Sequence, residues 1–540
     1  MKSIIFLLIV WLSTQTMYGQ KNEYNIIPKP LLVQPATGQF VFSPSTCLIL
    51  EKGVKQEAAD AFFILAEHLK TAAGIELKTA PSGVSNGIIC RLNKQLPSIE
   101  SYRLRIEKNK IIVEASDPAG FFYASQSLRQ LLPAAIESAS PQTDVRWTVP
   151  CGRIEDTPKY RYRGMHLDVC RHFSTKEEAM HYIDQLSLLK INTFHWHLTD
   201  DQGWRIEIKK YPRLTEAGGF RNRTLIGHYS NTPRQWDNTR VGGFYTQEDI
   251  REVIDYAKKR FINILPEIEL PGHAVAALTA YPQYSCSGGP FEVEGRWGVF
   301  NDVFCTREET FEFLENILSE VAALFPYQYI HIGGDECPKL RWSRCHVCQE
   351  RIKSQGLKDE HELQSYFVNR IARFLETQKK KVVGWDEILE GGGLTPDAVV
   401  MSWRGTNGGI DAARKGHDVI MTPSQYLYLD YYQSKEPGEP VAIGNFVPIQ
   451  KVYEYNPTPT ELTPEEARHI WGVQANVWTE YMPNPQHREY MIFPRIAALA
   501  EIAWTPQEKK NYDDFKLRLL SLFRHYDVAG INYSKAIYKQ

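Results

Sequence analysis

Hydrophobic positions along this chain change rhythm near residue 160. Before that point two periods mix. Ala58, Phe62, Leu65 and Leu69 recur at helical spacing and predict a helix over Lys55–Ala73. Tyr102–Ile106 and Ile111–Ala115 alternate like half-buried strands around Lys108–Lys110, which predicts a hairpin, and Phe121–Leu132 reads as a second helix. Ser138–Pro150 reads as a linker. Beyond Arg161, short and nearly continuous apolar runs take over: Gly164–Val169, Ile191–Leu198, Phe261–Ile268, Tyr329–Ile332, Val382–Trp385, Ala398–Trp403, Val419–Met421 and Gly472–Trp478. Amphipathic segments such as Glu177–Leu189, Glu248–Arg260, Arg307–Leu324 and Leu363–Gln378 lie between them. Strands buried on both faces, each succeeded by a helix, form a parallel sheet. Eight such units in about 350 residues suit a (β/α)8 TIM barrel with enlarged loops. The fold class expected is therefore α/β, a barrel preceded by a smaller α+β domain, with a doubly wound sheet as the alternative.

The boundaries expected are 1–19 for a leader, 20–157 for the first domain, 158–510 for the barrel and 511–540 for a closing helical segment. The leader rests on Lys2, the apolar run Ile4–Leu12 and the polar stretch to Gly19, too short to span a bilayer. It implies export to the periplasm or the medium. No second segment is apolar enough to enter a membrane. Composition adds little: 43% hydrophobic and 23% charged residues, with a net charge of -2, describe a globular protein with no electrostatic attraction for nucleic acid. Twelve Trp and twenty-eight Tyr do add something, because flat rings stack on the apolar faces of sugars. Of nine cysteines, Cys286 and Cys305 bracket a Gly-rich segment and could form a disulfide. Cys345-His346-Val347-Cys348 has half of a zinc-site spacing, but no second pair lies close in sequence, so a local disulfide or structural role is favoured over zinc.

In a barrel of this kind the chemistry sits at the C-terminal ends of the strands. The first four runs end at Asp168, Arg171 and His172; at His195, His197 and Asp200-Asp201-Gln202-Gly203-Trp204; at Pro266-Glu267-Ile268-Glu269-Leu270-Pro271-Gly272-His273; and at His331-Ile332-Gly333-Gly334-Asp335-Glu336. The other four end near Trp385-Asp386-Glu387, Trp403-Arg404, Tyr428-Leu429-Asp430-Tyr431 and Trp478-Thr479-Glu480. Carboxylates and tryptophans recur around one rim, as sugar cleavage requires. Most glycosidases oppose two carboxylates about 5–10 Å apart across the scissile bond. Asp335 and Glu336 are adjacent, and on a regular strand they would face opposite ways. Gly333-Gly334 lets the strand end before them. They fit a division of labour in which Glu336 donates the proton and Asp335 acts beside it.

These stretches, from about Tyr24 to Trp504, resemble family 20 glycoside hydrolases, the β-N-acetylhexosaminidases. The resemblance rests on His331–Glu336, the His-Trp-His and Asp-Asp-Gln-Gly-Trp of His195–Trp204, Pro266–His273 and Trp478-Thr479-Glu480. It implies substrate-assisted retention, an exception to the two-carboxylate scheme, in which the sugar's own acetamido oxygen attacks the anomeric carbon. Glu336 would be the acid and base, with a pKa raised by burial or by Asp335, and Asp335 would orient the acetamido group. The resemblance also implies that Arg163, Asp430 and Glu480 hold hydroxyls of the terminal sugar. Tyr428 would bond the acetamido oxygen, and Trp385, Trp403 and Trp478 would wall the pocket. Asp200 and His273 would buffer Glu336, whereas His195 and His197 read as structural. The reaction needs no cofactor and no metal. The partner expected is an oligosaccharide or glycoconjugate ending in an N-acetylhexosamine. A silent sugar-binding protein on the same barrel, or an endo-acting enzyme, are the competing readings; an intact acid and a closed rim weigh against both.

Overall fold

A computed structural model describes residues 24–81 and 86–539; the expected leader lies outside them. The first domain is a seven-stranded mixed sheet, ordered Leu32–Val41, Thr148–Asp156, Tyr102–Glu107, Lys110–Ala115, Gly87–Leu92, Cys47–Leu50, Lys78–Thr79. The expected hairpin pairs Tyr102 with Ala115 and Glu107 with Lys110. The helix at Pro118–Leu131 begins on Asp117, whose side chain accepts from the Gly120 N–H. Two expectations need correction. The helix over Lys55–Ala73 breaks into Gln56–Asp60 and Phe63–Ala73. The linker ends early, because Thr148–Pro150 open a strand that pairs on both sides.

The second domain is a closed barrel of eight strands. They are β1 (Tyr162–Asp168), β2 (Thr193–His197), β3 (Asn263–Leu270), β4 (Tyr329–Gly333), β5 (Lys381–Trp385), β6 (Val399–Ser402), β7 (Val419–Met421) and β8 (Ile470–Ala475). All neighbours are parallel, and β8 closes on β1 through Gly472–Tyr162 to Ala475–Met165. The continuous apolar runs are explained by burial: every residue of β1, β2, β4 and β8 is buried. Helices at Lys176–Leu188, Gln247–Lys258, Glu308–Leu324 and Glu360–Thr377 cover the barrel where the periodicity placed them. Thr175 and Thr246 cap the first two, the latter in a capping box with Asp249. Among the described residues no helix is long and apolar enough to cross a membrane.

The first domain contacts the barrel at the N-terminal ends of its strands. Asp156 accepts there from Lys190 Nζ at 2.9 Å, Tyr102 Oη at 2.6 Å and Trp504 Nε1 at 2.8 Å. Phe122 packs on Phe261, just before β3. The closing helix Tyr512–Ala529 joins in, through Arg518 with Glu501 and through His525 with Glu137. A buried polar network with its partners satisfied holds one relative placement, because any other would strand its charges. The opposite rim is left to the loops.

Candidate active site

At the C-terminal rim the side chains converge in two groups. The first is polar. Asp168 closes β1 and accepts from the backbone of Cys170, Arg171 and Thr479, so it ties the loops after β1 and β8 together. Arg171 is thereby aimed across the rim. Its guanidinium meets Asp200 at 2.9 Å and Glu480 at 3.9 Å, donates to Gln202 and lies 5.1 Å over the Trp478 ring. Asp200 also accepts from His197 Nε2 at 2.8 Å. His273, after β3, pairs through Nδ1 with Asp201 at 2.9 Å and Asp200 at 3.2 Å. Its Nε2 faces Glu336 at 3.5 Å and Asp335 at 3.7 Å. Four predicted residues, Asp200, His273, Asp335 and Glu336, thus share one chain of contacts.

The backbone that presents the acid pair is unusual. Gly333 and Gly334 hold φ of 68° and 96°, and Glu336 adopts 44°. Positive φ in a non-glycine residue costs on the order of 1–3 kcal/mol and is found where surroundings over-determine the geometry. Here it breaks the alternation of β4, so that Asp335 and Glu336 both reach His273. Asp335 is buried and its Oδ1 has no hydrogen-bond partner, whereas the Glu336 side chain is 41% exposed.

The acidities are the reverse of the expected order. Burial pushes Asp335 up to about 6, helped by the charge of Glu336 and opposed by His273. Glu336 is held below the usual carboxylate range, first by its hydrogen bond to His273 and against a smaller cost of burial. Burial alone would deprotonate His273, but Asp200, Asp201 and Glu336 raise it well above the ordinary histidine value. The raised pKa expected for Glu336 is therefore not a property of the rim by itself.

The second group is aromatic. Trp385 is buried and donates to Glu267 Oε1 at 2.9 Å. Trp478 lies 6.0 Å from Trp385 and 6.4 Å from Tyr428, which stacks on Trp403 at 6.1 Å. Trp403 is fixed by Glu387 at 2.9 Å. Next to this wall Asp430 is buried with Oδ1 unpartnered. Burial and the Glu480 charge push its carboxyl well up; burial also raises Glu480, against the pull of Arg171.

Arg163 does not belong to this rim. It is the second residue of β1, at the opposite end of the barrel, and is 1% exposed. It donates to the carbonyls of Lys190 and Tyr160 and to Glu100 of the first domain at 2.9 Å. The arginine at the C-terminal rim is Arg171. Strand direction alone separates the two, because only the C-terminal end of β1 reaches the rim.

Beneath the site lies a layer in which His195 and His197, read as structural from the sequence, surround acids for which the motifs predict no role. Glu267 is buried among His197 at 2.5 Å, His331 at 2.8 Å and His195 at 3.2 Å. Burial works against its charge, but the surrounding imidazoles hold its carboxyl well below the usual range. His197 is raised to about 10 despite burial, by Glu267 and Asp200. Glu269, two residues on, is buried with neither oxygen hydrogen-bonded. Burial, with Asp335 and Glu267 nearby, pushes its carboxyl well above the ordinary range. A Cβ on Gly333 would stand 1.8 Å from Glu269 Oε2, so only glycine lets that carboxyl in. Two acids at i and i+2 on a buried strand share one face, and that spacing was the signal in the sequence. Asp200, Asp201 and His273 are close enough to share a cation, but Arg171 and their mutual hydrogen bonds already balance them.

A parallel barrel with carboxylates and an aromatic wall at its C-terminal rim is the arrangement a glycoside hydrolase needs. The description "Glycosyl hydrolase family 20, catalytic domain" matches residues 160–507, and "Glycosyl hydrolase family 20, domain 2" matches residues 23–157. The chain belongs to glycosyl hydrolase family 20. A Beta-hexosaminidase of Porphyromonas gingivalis is 46% identical over 516 residues, which cover 94% of this chain and 64% of that relative. The chain therefore spans less than two thirds of that relative's length. A Beta-N-acetylhexosaminidase of Cellulomonas fimi is 31% identical over 94% of this chain and 95% of its own. The crystal structure of a GH20 exo β-N-acetylglucosaminidase from Vibrio harveyi, in complex with N-acetylglucosamine, superposes with a TM-score of 0.84. It is 34% identical, covering 96% of this chain and 79% of that one.

Proposed function

We propose that the protein is an exo-acting, retaining β-N-acetylhexosaminidase that removes terminal N-acetylglucosamine or N-acetylgalactosamine with help from the substrate's own acetamido group. The observation that carries this reading is the pairing of Asp335 with Glu336 on one side of His273. Two carboxylates so placed do not oppose each other across a sugar, so the nucleophile has to come from elsewhere.

Glu336 gives its proton to the glycosidic oxygen as the bond to the anomeric carbon breaks and the leaving alcohol takes the electron pair. The acetamido oxygen closes on that carbon to form an oxazolinium ring. Asp335, with a buried unpartnered oxygen, accepts the acetamido N–H and offsets the charge developing on nitrogen. Water then attacks the same carbon, losing a proton to Glu336, and the ring opens with the β configuration kept. A sugar seated on Glu336 removes solvent from a half-exposed side chain, and desolvation raises a carboxyl pKa. That supplies the acidity the rim lacks by itself. Arg171, Asp430 and Glu480 hold the outer hydroxyls and close the pocket after one residue, which supports exo action. Trp385, Trp403 and Trp478 pack the ring and methyl group, and Tyr428 holds the acetamido oxygen. The partner is a glycan or glycoconjugate ending in N-acetylhexosamine, met outside the cytoplasm in keeping with the leader.

The test is hydrolysis of a 4-nitrophenyl N-acetyl-β-glucosaminide, with the first-formed product anomer read by proton NMR and a thiazoline mimic of the intermediate as inhibitor. Release of the β anomer with strong thiazoline inhibition is expected. Folded protein that releases nothing would sink the hydrolase reading, and an α anomer would sink neighbouring-group participation.

A further inference from the structure

Four cysteines distant from each other in sequence meet at one point outside the active site. Cys286, Cys305, Cys345 and Cys348 have all four sulfurs within 4.8 Å of one another. Cys305 stands 3.7 Å from Cys345 and 3.7 Å from Cys348, and Cys348 is also 3.7 Å from Cys286. Cys305 and Cys348 are fully buried and Cys345 nearly so. The disulfide that Cys286 and Cys305 could have formed is absent; all nine cysteines are free thiols.

We propose that these four thiols are the ligands of a structural zinc ion. A tetrahedral Zn(Cys)4 centre with Zn–S of about 2.3 Å sets its sulfurs about 3.8 Å apart, close to the 3.7 Å of the three pairs just named. A disulfide would need about 2.05 Å and a chosen partner. Cys305 has two equidistant neighbours and so has Cys348, so no pairing is preferred. A metal ion uses all four alike. Binding is redox-neutral: four S–H bonds give way to four Zn–S bonds and the protons pass to solvent. Arg307 beside Cys305 offsets part of the negative charge that four thiolates bring.

The backbone is arranged for such a site. The bridge between Ser285 and Phe304, with the Cys305 N–H on the Tyr284 carbonyl, sets Cys286 and Cys305 side by side. Cys345 ends the short helix Leu340–Arg344, and Cys348 lies in the first turn of His346–Gln355, the two-residue spacing of a zinc knuckle. Along the chain this pair lacks its complement, because the other two ligands are 40 and 62 residues away. Phe304 N–H donates to the Pro271 carbonyl in the loop that carries His273, and Trp342 Nε1 donates to the Phe304 carbonyl. The metal would thus clamp the loop after β3 to the segment after Glu336, behind the acid pair.

The decisive measurement uses the full chain purified without chelator. Elemental analysis should find one zinc per chain. Intact mass of the denatured, unreduced protein should match nine free thiols. Replacement by cobalt should give the intense sulfur-to-metal charge-transfer and visible bands of a tetrahedral thiolate site. Cys305→Ser and Cys348→Ser should lose the zinc and unfold at lower temperature, whereas Cys90→Ser, buried in the first domain, should keep it. A metal-free chain whose mass is short by four hydrogens, showing two disulfides, would overturn the proposal. So would reduced protein that takes up neither zinc nor cobalt.

Discussion

His273 Nε2 stands 3.5 Å from Glu336 Oε2, and both residues hold left-handed backbone, at φ of 47° and 44°. Neither conformation is comfortable for a residue with a side chain, so the contact is built in by the loops after β3 and β4 rather than found by chance. The imidazole is kept charged by Asp200 and Asp201 and in turn keeps Glu336 ionised. Replacing His273 by Asn should therefore raise the Glu336 pKa and move the alkaline limb of kcat/KM to higher pH. The maximum rate should fall as well, since Glu336 loses a positioning contact. A pH–rate profile checks this; an unmoved alkaline limb would show that His273 does not set the acidity of Glu336.

In the free enzyme burial pushes the Asp335 carboxyl up to about 6, above the lowered Glu336. The form the proposed mechanism needs, Asp335 ionised and Glu336 protonated, holds one proton on the pair and is its minor tautomer. Above about pH 6 the pair loses that proton and kcat/KM should fall about tenfold per unit, whereas just below it the profile should level off. Asp335→Asn should lower kcat by about 10²–10³-fold and move that limb down to the lower pKa of Glu336. Retention of near-normal turnover would remove Asp335 from the chemistry.

Glu336→Gln should cost about 10²–10⁴-fold in kcat on glycosides with poor leaving groups, because only there is the proton needed to release the alcohol. With an activated leaving group the first step should be much less affected, and binding of the thiazoline should survive. Brønsted plots over a leaving-group series make the distinction.

Arg171 should matter for function and stability together, Arg163 for stability alone. Arg171→Met should raise KM and lower kcat/KM in the folded fraction, since the guanidinium lies at the rim against Glu480 and Trp478, and should also cost stability because Asp168 and Asp200 lose a buried partner. Arg163→Met leaves Glu100 without its buried partner and should cost about 3–5 kcal/mol of stability, with the folded fraction still active. Urea unfolding and steady-state kinetics on both variants test the assignment.

Gly333→Ala should be destabilising by about 1–3 kcal/mol or more. Its Cβ would meet Glu269 Oε2 at 1.8 Å, and its φ of 68° disfavours any side chain. Because the same turn presents Asp335 and Glu336, kcat should drop along with the unfolding midpoint.

The sequence by itself determined a good deal of this protein. Runs such as Tyr329–Ile332 and Val382–Trp385, each leading into a helical stretch, specified a barrel because strands buried on two faces must be apolar throughout. Strand order then told which residues share the rim, and Asp335, Glu336, His273, Trp385, Trp403 and Trp478 all lie there. Strand direction also held the distinction between Arg163 and Arg171, but the motif around β1 carries both, and the resemblance points to the one at the wrong end. Other features were decided only by tertiary structure. The order of acidity in Asp335 and Glu336 depends on burial and on an imidazole 63 residues before Glu336 in the chain. Likewise Cys286 and Cys305 meet Cys345 and Cys348 only when the loops after β3 and β4 fold against each other. Periodicity reports burial, a property each residue carries along its own strand. Proton affinity and metal ligation report through-space neighbours, and those exist only once the chain has closed on itself.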